Sequence, residues 1–336
     1  MAYLSMHINR WTKWQLLSIL TSETSPKIFA LFFVGVIFSF LMVNVCFNLY
    51  VDPYFIFRTS PFDERLPDIN LQQRFAKPLQ VITRQPRIVL IGSSRVYRGF
   101  DVKDDFYNMG ISSMTLVEAS SYVKHVLNFT PARKIVLGLD FWMIDEVEAT
   151  KEGWDKKTGT ISYTLKSFSR ALLRGNEAFR VFKGFIHNNH HPLTEEKWSY
   201  TGFFHTSKRS KNEVEEMLLS YVKAFQKTQI QLEMLSYLED IIRQCKAKEV
   251  ELYVYISPLH PNIKEEYKKS KNAPYFDPWK DKVASICKKA NISFYDLSNI
   301  LDNSAPLENG STDIWLDYSH FSPKIGKEIL QRLGVK

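Results

Sequence analysis

The amino-acid sequence predicts an α/β protein with a central parallel sheet, preceded by one membrane-spanning helix near the N-terminus. Two observations carry this prediction: short β-branched apolar runs alternate with segments of helical spacing, and a long uncharged apolar segment precedes them. The 336 residues are 45% hydrophobic and 24% charged, a composition that excludes collagen-like, low-complexity and disordered chains. Three cysteines are too few for a disulfide scaffold or a Cys-rich zinc site.

The first element is the apolar segment at residues 28–50, which we interpret as a membrane anchor. Ile28 to Leu49 contains 22 residues without a charge, and about 20 suffice for a helix to cross the hydrocarbon core. The segment exceeds the apolar part of a signal peptide, and no small-residue cleavage site follows it. We therefore expect an uncleaved, single-pass anchor.

Charges on the two sides of this anchor predict its orientation. Residues 1–27 carry three basic residues and one acidic residue, whereas residues 51–67 carry two basic and three acidic residues. Basic residues favour the cytoplasmic side of a membrane, so we expect a cytoplasmic segment at 1–27 and an extracytoplasmic main domain, either periplasmic or extracellular. We interpret residues 51–86 as a linker or lead-in, and residues 87–336 as the folded domain.

Five short apolar runs in the folded domain predict its strands. They are residues 87–92, 106–110, 134–139, 250–256 and 292–295. Helical spacing occurs between them, at 115–127 and before each of the last two runs, and again in the closing segment 323–333. Strands that alternate with helices predict a parallel sheet covered on both faces.

An aromatic and basic segment interrupts this rhythm, and we interpret about 147–245 as an insertion. Residues 151–211 carry 12 basic and 5 acidic residues, which is +7 of the chain's net charge of +8. No nucleic-acid-binding motif accompanies this charge, so we expect no nucleic-acid partner. An anionic glycan, a lipid-linked donor or the headgroup surface suits a membrane-tethered body better. A solvent-exposed basic face is the alternative.

Three short motifs bring together residues that can do chemistry. The first is Gly92-Ser93-Ser94-Arg95, directly after the first strand, where open α/β sheets bind their ligands. The second is Asn108-Met109-Gly110, where a glycine lets the backbone approach a substrate oxygen. The third is Asp317-x-x-His320, whose side chains share a face if the turn is helical. Each motif alone also fits an ordinary turn or helix cap.

Together, in this order, the motifs resemble the SGNH/GDSL hydrolase superfamily. The chain resembles in particular the membrane-anchored branch linked to acylation of envelope polysaccharide and teichoic acid, in which GSS replaces GDS. The sequences VDPY at 51–54, VLIGSSR at 89–95 and SPLHP at 257–261 add to this resemblance. The resemblance implies a flavodoxin-like, SGNH-type α/β sandwich without a cofactor or metal ion.

Carried over by position, the resemblance implies a catalytic triad and an oxyanion hole. Ser94 becomes the nucleophile, His320 the general base and Asp317 its partner. The backbone N–H groups of Ser94 and Gly110 become oxyanion donors. The other residues expected in the pocket are Ser93, Arg95, Asn108, Asp140 and His260.

One position departs from the family pattern. The third family block commonly carries an asparagine that donates to the oxyanion, and the matching residue here is Asp140 in Gly138-Leu139-Asp140. An ionised aspartate only accepts hydrogen bonds. Loss of one oxyanion donor costs about 10²–10³ in rate in a protease precedent. The sequence thus leaves open a substitute donor, a slow catalyst and a scaffold without activity.

The remaining histidines and cysteines have structural alternatives. His260 follows a predicted strand and either lines the pocket or structures its loop. His187, His190 and His191 lack interleaved carboxylate or thiolate ligands, so we interpret them as a polar loop. Cys245 and Cys287 end predicted helices, and we expect separate buried thiols.

The expected function is a membrane-anchored O-acyltransferase or esterase that acts on a cell-envelope polysaccharide, anionic or neutral, through an acyl-enzyme. The resemblance also implies a multi-pass O-acyltransferase as a partner that supplies the acyl group. Two alternatives remain open at this point. One is a plain periplasmic esterase or lipase, and the other is an inactive glycan-binding or assembly subunit.

Overall fold

A computed structural model describes residues 25–57, 72–103, 105–145, 154–187, 197–199, 201–304 and 307–335. Its strands are β1 (Ile88–Ile91), β2 (Phe106–Asn108), β3 (Lys134–Leu139), β4 (Lys197–Trp198), β5 (Phe204–His205), β6 (Glu251–Ile256) and β7 (Ser293–Asp296). Its helices are α1 (Ser25–Val51), α2 (Gln73–Arg84), α3 (Ser94–Gly99), α4 (Leu116–Phe129), α5 (Ile161–Leu173), α6 (Gly175–His187), α7 (Lys211–Lys227), α8 (Ser236–Ala247), α9 (Pro261–Lys269), α10 (Ala273–Lys289) and α11 (Pro323–Arg332).

Five strands form one parallel sheet in the order β2-β1-β3-β6-β7, and all five predicted runs contribute to it. Counted without the separate hairpin β4–β5, the order is 2-1-3-4-5, the doubly wound order of flavodoxin-like folds. The winding reverses between β1 and β3, so the crevice for a ligand lies beyond their carboxyl ends. The predicted α/β fold is confirmed.

The sheet is the centre of the main hydrophobic core. All four residues of β1 are buried, as are all but the first residue of β3. Strands buried on both faces need apolar side chains at every position, which explains the continuous runs IVLI and IVLGL. On one side α4 begins at a capping box between Thr115 and Glu118, which satisfies two otherwise unpaired backbone donors.

The predicted insertion is largely helical. It contains α5, α6, the hairpin β4–β5 and α7. Our insertion boundary at about 245 also included most of α8, but this helix packs against α4 and β6. It is therefore the crossover helix that leads into β6, and it belongs to the α/β layer.

The lead-in is more structured than a linker. Helix α2 contacts α4 and α5, and its side chains bind the turn that follows α1: Gln80 Nε2 donates to Tyr54 O over 2.6 Å. The same turn is held by Asp52, which accepts from the N–H groups of Ile56 and Phe57 at 2.8 and 2.9 Å. The end of α1 is thus attached to the folded body.

Helix α1 is long and apolar enough to cross a membrane over Pro26–Val51, with a mean hydropathy of 2.6. None of the most apolar 18-residue window is buried against the body. The structure therefore establishes an exposed apolar helix at the position predicted for the anchor.

Two glycines allow α3 and α11 to pack backbone to backbone. A Cβ atom on Gly326 would lie 1.8 Å from the carbonyl oxygen of Gly99, and one on Gly99 would overlap the Phe321 ring at 2.1 Å. This contact sets the distance between α3, which begins at Ser94, and α11, which follows His320 by three residues.

Gly326→Ala is expected to destabilise the body by about 1–3 kcal/mol, because the new methyl group meets fixed backbone. The midpoint of denaturant unfolding, followed by tryptophan fluorescence, measures this loss. Lys327→Ala, one exposed position further along α11, is the matched control and should change little. Equal midpoints for the two variants would contradict the packing argument.

Candidate active site

Ser94 lies at the carboxyl end of β1, as the first residue of α3. Ser93 caps this helix, because its hydroxyl accepts from the N–H of Arg95. The cap fixes the chain direction at the point where the strand ends, so Ser94 stands in the ligand crevice of the sheet. Ser94 is partly exposed, whereas its neighbours Ser93 and Arg95 are buried.

The structure brings Ser94, His320 and Asp317 into one hydrogen-bonded chain. His320 Nε2 lies 2.8 Å from Ser94 Oγ. On the other side of the ring, His320 Nδ1 lies 2.8 Å from Asp317 Oδ2. A carboxylate at Nδ1 fixes the tautomer that carries its proton there, so Nε2 accepts from the Ser94 hydroxyl. These three residues, predicted from separate motifs, have the geometry of a Ser-His-Asp triad.

The Asp317–His320 turn is not helical, contrary to the condition stated for its spacing. Asp317 Oδ1 accepts from the backbone N–H groups of Ser319 and His320, at 2.8 and 3.0 Å. A carboxylate that binds its own following backbone makes a tight turn without a helix. The turn brings the His320 ring back to the same carboxylate. Pro323 then begins α11, as predicted.

Burial and pairing set the charges in the triad. Burial lowers the pKa of His320 below its ordinary 6.5, against the raising effect of Asp317. Burial alone raises the pKa of Asp317, but the His320 ring and hydrogen bonds outweigh it and hold this pKa at about 2. At neutral pH the pair is therefore a carboxylate and a neutral imidazole, the state that a general base requires.

Arg95 and Asp140 form a buried ion pair beneath Ser94. Arg95 Nη1 donates to Asp140 Oδ1 over 2.8 Å, and both side chains are 1% exposed. The guanidinium also donates from Nε to the Ser319 carbonyl over 2.8 Å, and it stacks 4.2 Å from the Trp142 ring. Ser93 Oγ donates to the second oxygen of Asp140. Asp140 thus holds α3 in place, and as an ionised carboxylate it has no N–H or O–H to donate to a substrate.

The turn after β2 places Gly110 against the first turn of α3. A Cβ atom at Gly110 would lie 2.5 Å from the backbone nitrogen of Tyr97, so only glycine permits this approach. The Gly110 N–H donates to Asn108 Oδ1 over 3.1 Å. Asn108 itself is buried, and its amide donates to the carbonyls of Val96 and Phe100, both at 2.9 Å. It acts as a brace between β2 and α3.

Lys77 supports this turn from α2, in the segment that we interpreted as a lead-in. Its buried ammonium donates to the carbonyls of Asn108, Gly110 and Gly202 at 2.9, 2.6 and 2.9 Å. Burial lowers the pKa of Lys77, whereas three carbonyl acceptors favour the ammonium, which alone has three N–H donors. The periodicity of the sequence gives no signal for this role.

His260 structures its loop. Its Nδ1 accepts from the N–H of Asn262 over 3.1 Å and so caps α9. The ring packs edge-on against Trp315 and Tyr318, with centroid distances of 5.2 and 4.8 Å. Burial lowers the pKa of His260 to about 4. The ring in contact with Ser94 Oγ is that of His320, and not that of His260.

Three polar residues that sequence reasoning missed surround the triad. Arg209 Nε lies 3.9 Å from Asp317 Oδ2. The Tyr221 hydroxyl, from α7, lies 3.5 Å from His320 Nδ1. Arg98, one turn after Ser94 on α3, contributes positive charge next to Asp317. Arg209 and Tyr221 belong to the insertion. Its basic and aromatic composition is the sequence feature that could have indicated a role for such residues near the site.

The other predicted residues lie apart from this site. Cys245 and Cys287 are buried and free. His190 and His191 lie outside the described residues, and so does the side chain of His187. Within the described ranges no group of three or more His, Cys, Asp or Glu residues is placed to hold a metal ion.

Comparisons with known proteins give matches among solved structures alone. No family model matches this chain, and no curated protein matches it. Among solved structures, the chain is similar to a Streptococcus pneumonia protein provisionally described as a platelet activating factor, with 14% identity and a TM-score of 0.39. The match covers 79% of this chain and 91% of that one.

The buried ion pair generates a stability prediction. Asp140→Asn leaves the Arg95 charge buried without its counter-ion, so it should lower the free energy of unfolding by about 3–5 kcal/mol. Denaturant unfolding measures this change. The double variant Arg95→Met/Asp140→Asn removes both charges and should be more stable than Asp140→Asn alone.

Glu265→Gln is the matched control, since it breaks an exposed ion pair with Lys268 and should cost less than about 1 kcal/mol. If Asp140→Asn is no more destabilising than Glu265→Gln, the Arg95–Asp140 pair does not hold the site together.

Proposed function

We propose that this protein is a membrane-anchored serine enzyme of SGNH type, which transfers or hydrolyses acyl groups on a cell-envelope polysaccharide. The observation that carries the proposal is the hydrogen-bonded chain Ser94–His320–Asp317 at the carboxyl end of β1. Convergence of a nucleophile, a base and an orienting carboxylate from positions 94 and 317–320 is the signature of acyl-transfer catalysis.

The first half of the reaction forms an acyl-enzyme. Ser94 Oγ attacks the carbonyl carbon of an ester donor while His320 Nε2 takes the hydroxyl proton. Asp317 stabilises the imidazolium that results. The tetrahedral intermediate then breaks its bond to the donor's alkoxide, which leaves with the proton from His320. The acyl group remains as an ester on Ser94.

The second half releases the acyl group to an acceptor. A sugar hydroxyl or a water molecule gives its proton to His320 and attacks the Ser94 ester. Collapse of the second tetrahedral intermediate returns the proton to Ser94 Oγ. Transfer to a sugar makes the protein an O-acyltransferase, and transfer to water makes it an esterase.

The oxyanion hole of this site relies on backbone donors. The N–H groups of Ser94 and Gly110 take this role in the proposal. In the structure the Gly110 N–H donates to Asn108 Oδ1, so an oxyanion must compete with Asn108 Oδ1 for this donor. Because Asp140 is bound to Arg95 and Ser93, we expect slower chemistry than in a site with an asparagine donor.

The wider assignment follows from the anchor and the resemblance. Helix α1 crosses the membrane in this proposal, with the N-terminus cytoplasmic and the body extracytoplasmic. The basic insertion faces an envelope glycan or its lipid-linked donor. A multi-pass O-acyltransferase supplies the acyl group, a partner that the resemblance implies.

The rival role as an inactive glycan-binding subunit receives less support. It predicts a Ser94 hydroxyl outside hydrogen-bond reach of His320, whereas the two atoms lie 2.8 Å apart. What favours the rival is Asp140 in the place of an oxyanion donor. The following experiment separates the two roles.

Full-length protein and its Ser94→Ala variant are compared in detergent, with p-nitrophenyl acetate as acyl donor and a serine-directed fluorophosphonate as label. The wild type should turn over and label, and Ser94→Ala should lose at least about 10³-fold in turnover. Ser121→Ala, which removes a half-buried hydroxyl on α4 that donates to the Val117 carbonyl, is the matched control and should turn over and label like the wild type. Folded wild type that neither turns over nor labels would favour the glycan-binding role.

The pH dependence of turnover tests the base. His320 must be neutral to take the serine proton, and its pKa lies below 6.5 because of burial. We expect kcat/KM for p-nitrophenyl acetate to be constant near pH 7 and to fall only as pH drops through a midpoint below 6.5. The rate of fluorophosphonate labelling should follow the same profile. A midpoint above 6.5 would contradict the assignment of His320 as a buried, neutral base.

A further inference from the structure

We propose that helices α5 and α6 form a second membrane-binding element, which lies in the headgroup layer of an anionic bilayer. The proposal rests on the membrane-spanning role of α1 given above. It assigns a lipid surface to the part of the insertion that lies next to α1.

The exposed length of α1 places the membrane surface. Residues 26–43 of α1 are all exposed, and the body covers the helix only from Asn44 onward. Those 18 residues span about 27 Å at 1.5 Å per residue, close to the roughly 30 Å of a hydrocarbon core. The headgroup layer therefore begins near Asn44, where the body begins.

Helix α6 lies at that level. Its buried residues Ala178 and Val181 form one cluster with Val51 of α1. Phe182 packs edge-on against Phe47, with ring centroids 5.7 Å apart. Since Asp52 and α2 hold the end of α1 to the body, the height of α6 above the membrane is fixed.

The outward faces of these helices carry large apolar side chains. Ile161 and Leu165 of α5 are 69% and 63% exposed, and Phe179 of α6 is 62% exposed. Ile161 and Leu165 lie one turn apart on the same stripe, while Tyr163 and Ser167 are buried on the opposite side of the helix. Exposed apolar side chains in such stripes mark a surface that binds a partner, and both helices contact α1.

Charge favours an anionic surface. The two helices with their connecting turn, residues 161–187, carry five basic residues and one acidic residue, a net charge of +4. The basic residues are Lys166, Arg170, Arg174, Arg180 and Lys183, and the acidic residue is Glu177. An apolar face beside basic side chains is the pattern of interfacial helices on anionic lipids.

A cavity lies between α1 and the turn that joins α5 to α6. It has a volume of about 650 Å³ and lies between Asn44 and Phe47 of α1 and Leu173, Arg174 and Phe179 of the insertion. Apolar side chains and an arginine at one level suit the upper acyl chain and the phosphate of a phospholipid. The cavity is therefore assigned to lipid of the surrounding bilayer.

The test measures the depth of single labels in the full-length protein. Cys46→Ser removes the exposed thiol, and Cys245 and Cys287 are buried, with burial raising the pKa of each thiol to about 12. Single cysteines at Leu165 and Phe179 receive an environment-sensitive fluorophore. The proteins enter nanodiscs that contain phosphatidylglycerol and a lipid quencher near the headgroup or deep in the acyl chain.

Two further positions calibrate the measurement. A cysteine at Val36, in the exposed part of α1, reports the hydrocarbon core. A cysteine at Tyr275, 46% exposed on α10, is the matched control for an exposed apolar side chain on another helix. Fluorophosphonate labelling of Ser94 is recorded for each protein, so failure of the catalytic proposal is read separately.

We expect the shallow quencher to quench Leu165 and Phe179 at least about threefold more than Tyr275, because interfacial helices bury their apolar face 5–10 Å into the headgroup boundary. Val36 should respond most to the deep quencher. Replacing phosphatidylglycerol with phosphatidylcholine should weaken quenching at Leu165 and Phe179.

Three results would overturn the proposal. If Leu165 and Phe179 behave like Tyr275 while Val36 is quenched, α1 crosses the membrane and the two helices stay in water. If Val36 is also unquenched, the anchor fails and the proposal fails with it. Equal quenching in both lipids would remove the anionic preference.

Discussion

The ion pair between Arg95 and Asp140 joins the parts of the site that come from distant points of the chain. Arg95 follows Ser94, Asp140 comes directly after β3, and the Ser319 carbonyl that Arg95 also binds precedes His320. Two charges that are 99% shielded from water cannot separate without a large desolvation cost. The pair thus keeps the first turn of α3, the end of the sheet and the Asp317 turn in one arrangement, and the 2.8 Å contact between Ser94 and His320 depends on that arrangement.

This constraint accounts for Asp140, the residue at which the chain departs from the pattern that its sequence resembles. An asparagine at position 140 would leave the buried Arg95 without a counter-charge, so arginine after the nucleophile and aspartate at 140 go together. The site gains rigid positioning and loses a side-chain donor for the oxyanion. In the proposed mechanism the oxyanion therefore depends on backbone N–H donors. Gly110, which Asn108 and Lys77 hold in place, supplies one of them.

Local patterns in the sequence were sufficient to predict the sheet and to select the three residues that the structure brings into one hydrogen-bonded chain. Each strand is a short apolar run, and Ser94, Asp317 and His320 stand next to elements that the patterns locate. Lys77 and the partner of Asp140 could not be predicted, because their contacts join segments 31 to 125 residues apart and depend on tertiary packing. The helical expectation for Asp317-x-x-His320 failed because spacing does not distinguish a helix from a turn that a carboxylate closes. Helix α8 was placed in the insertion because amphipathic spacing does not reveal which layer a helix covers.

The fold connects the site to the surface from which α1 emerges. Helix α2 contacts α5, and its Lys77 donates a hydrogen bond to the Gly110 carbonyl in the turn after β2. Asp52 and Gln80 bind the chain between α1 and α2. If α1 spans a membrane and α5 and α6 lie on its surface, as proposed, the contacts of α5 and α6 set the tilt of the body, because attachment at a single turn would leave the body free to rotate. The tilt in turn sets the height of the carboxyl edge of the sheet, and of Ser94, above the bilayer. That height determines which ester carbonyl of a membrane-borne donor can reach Ser94.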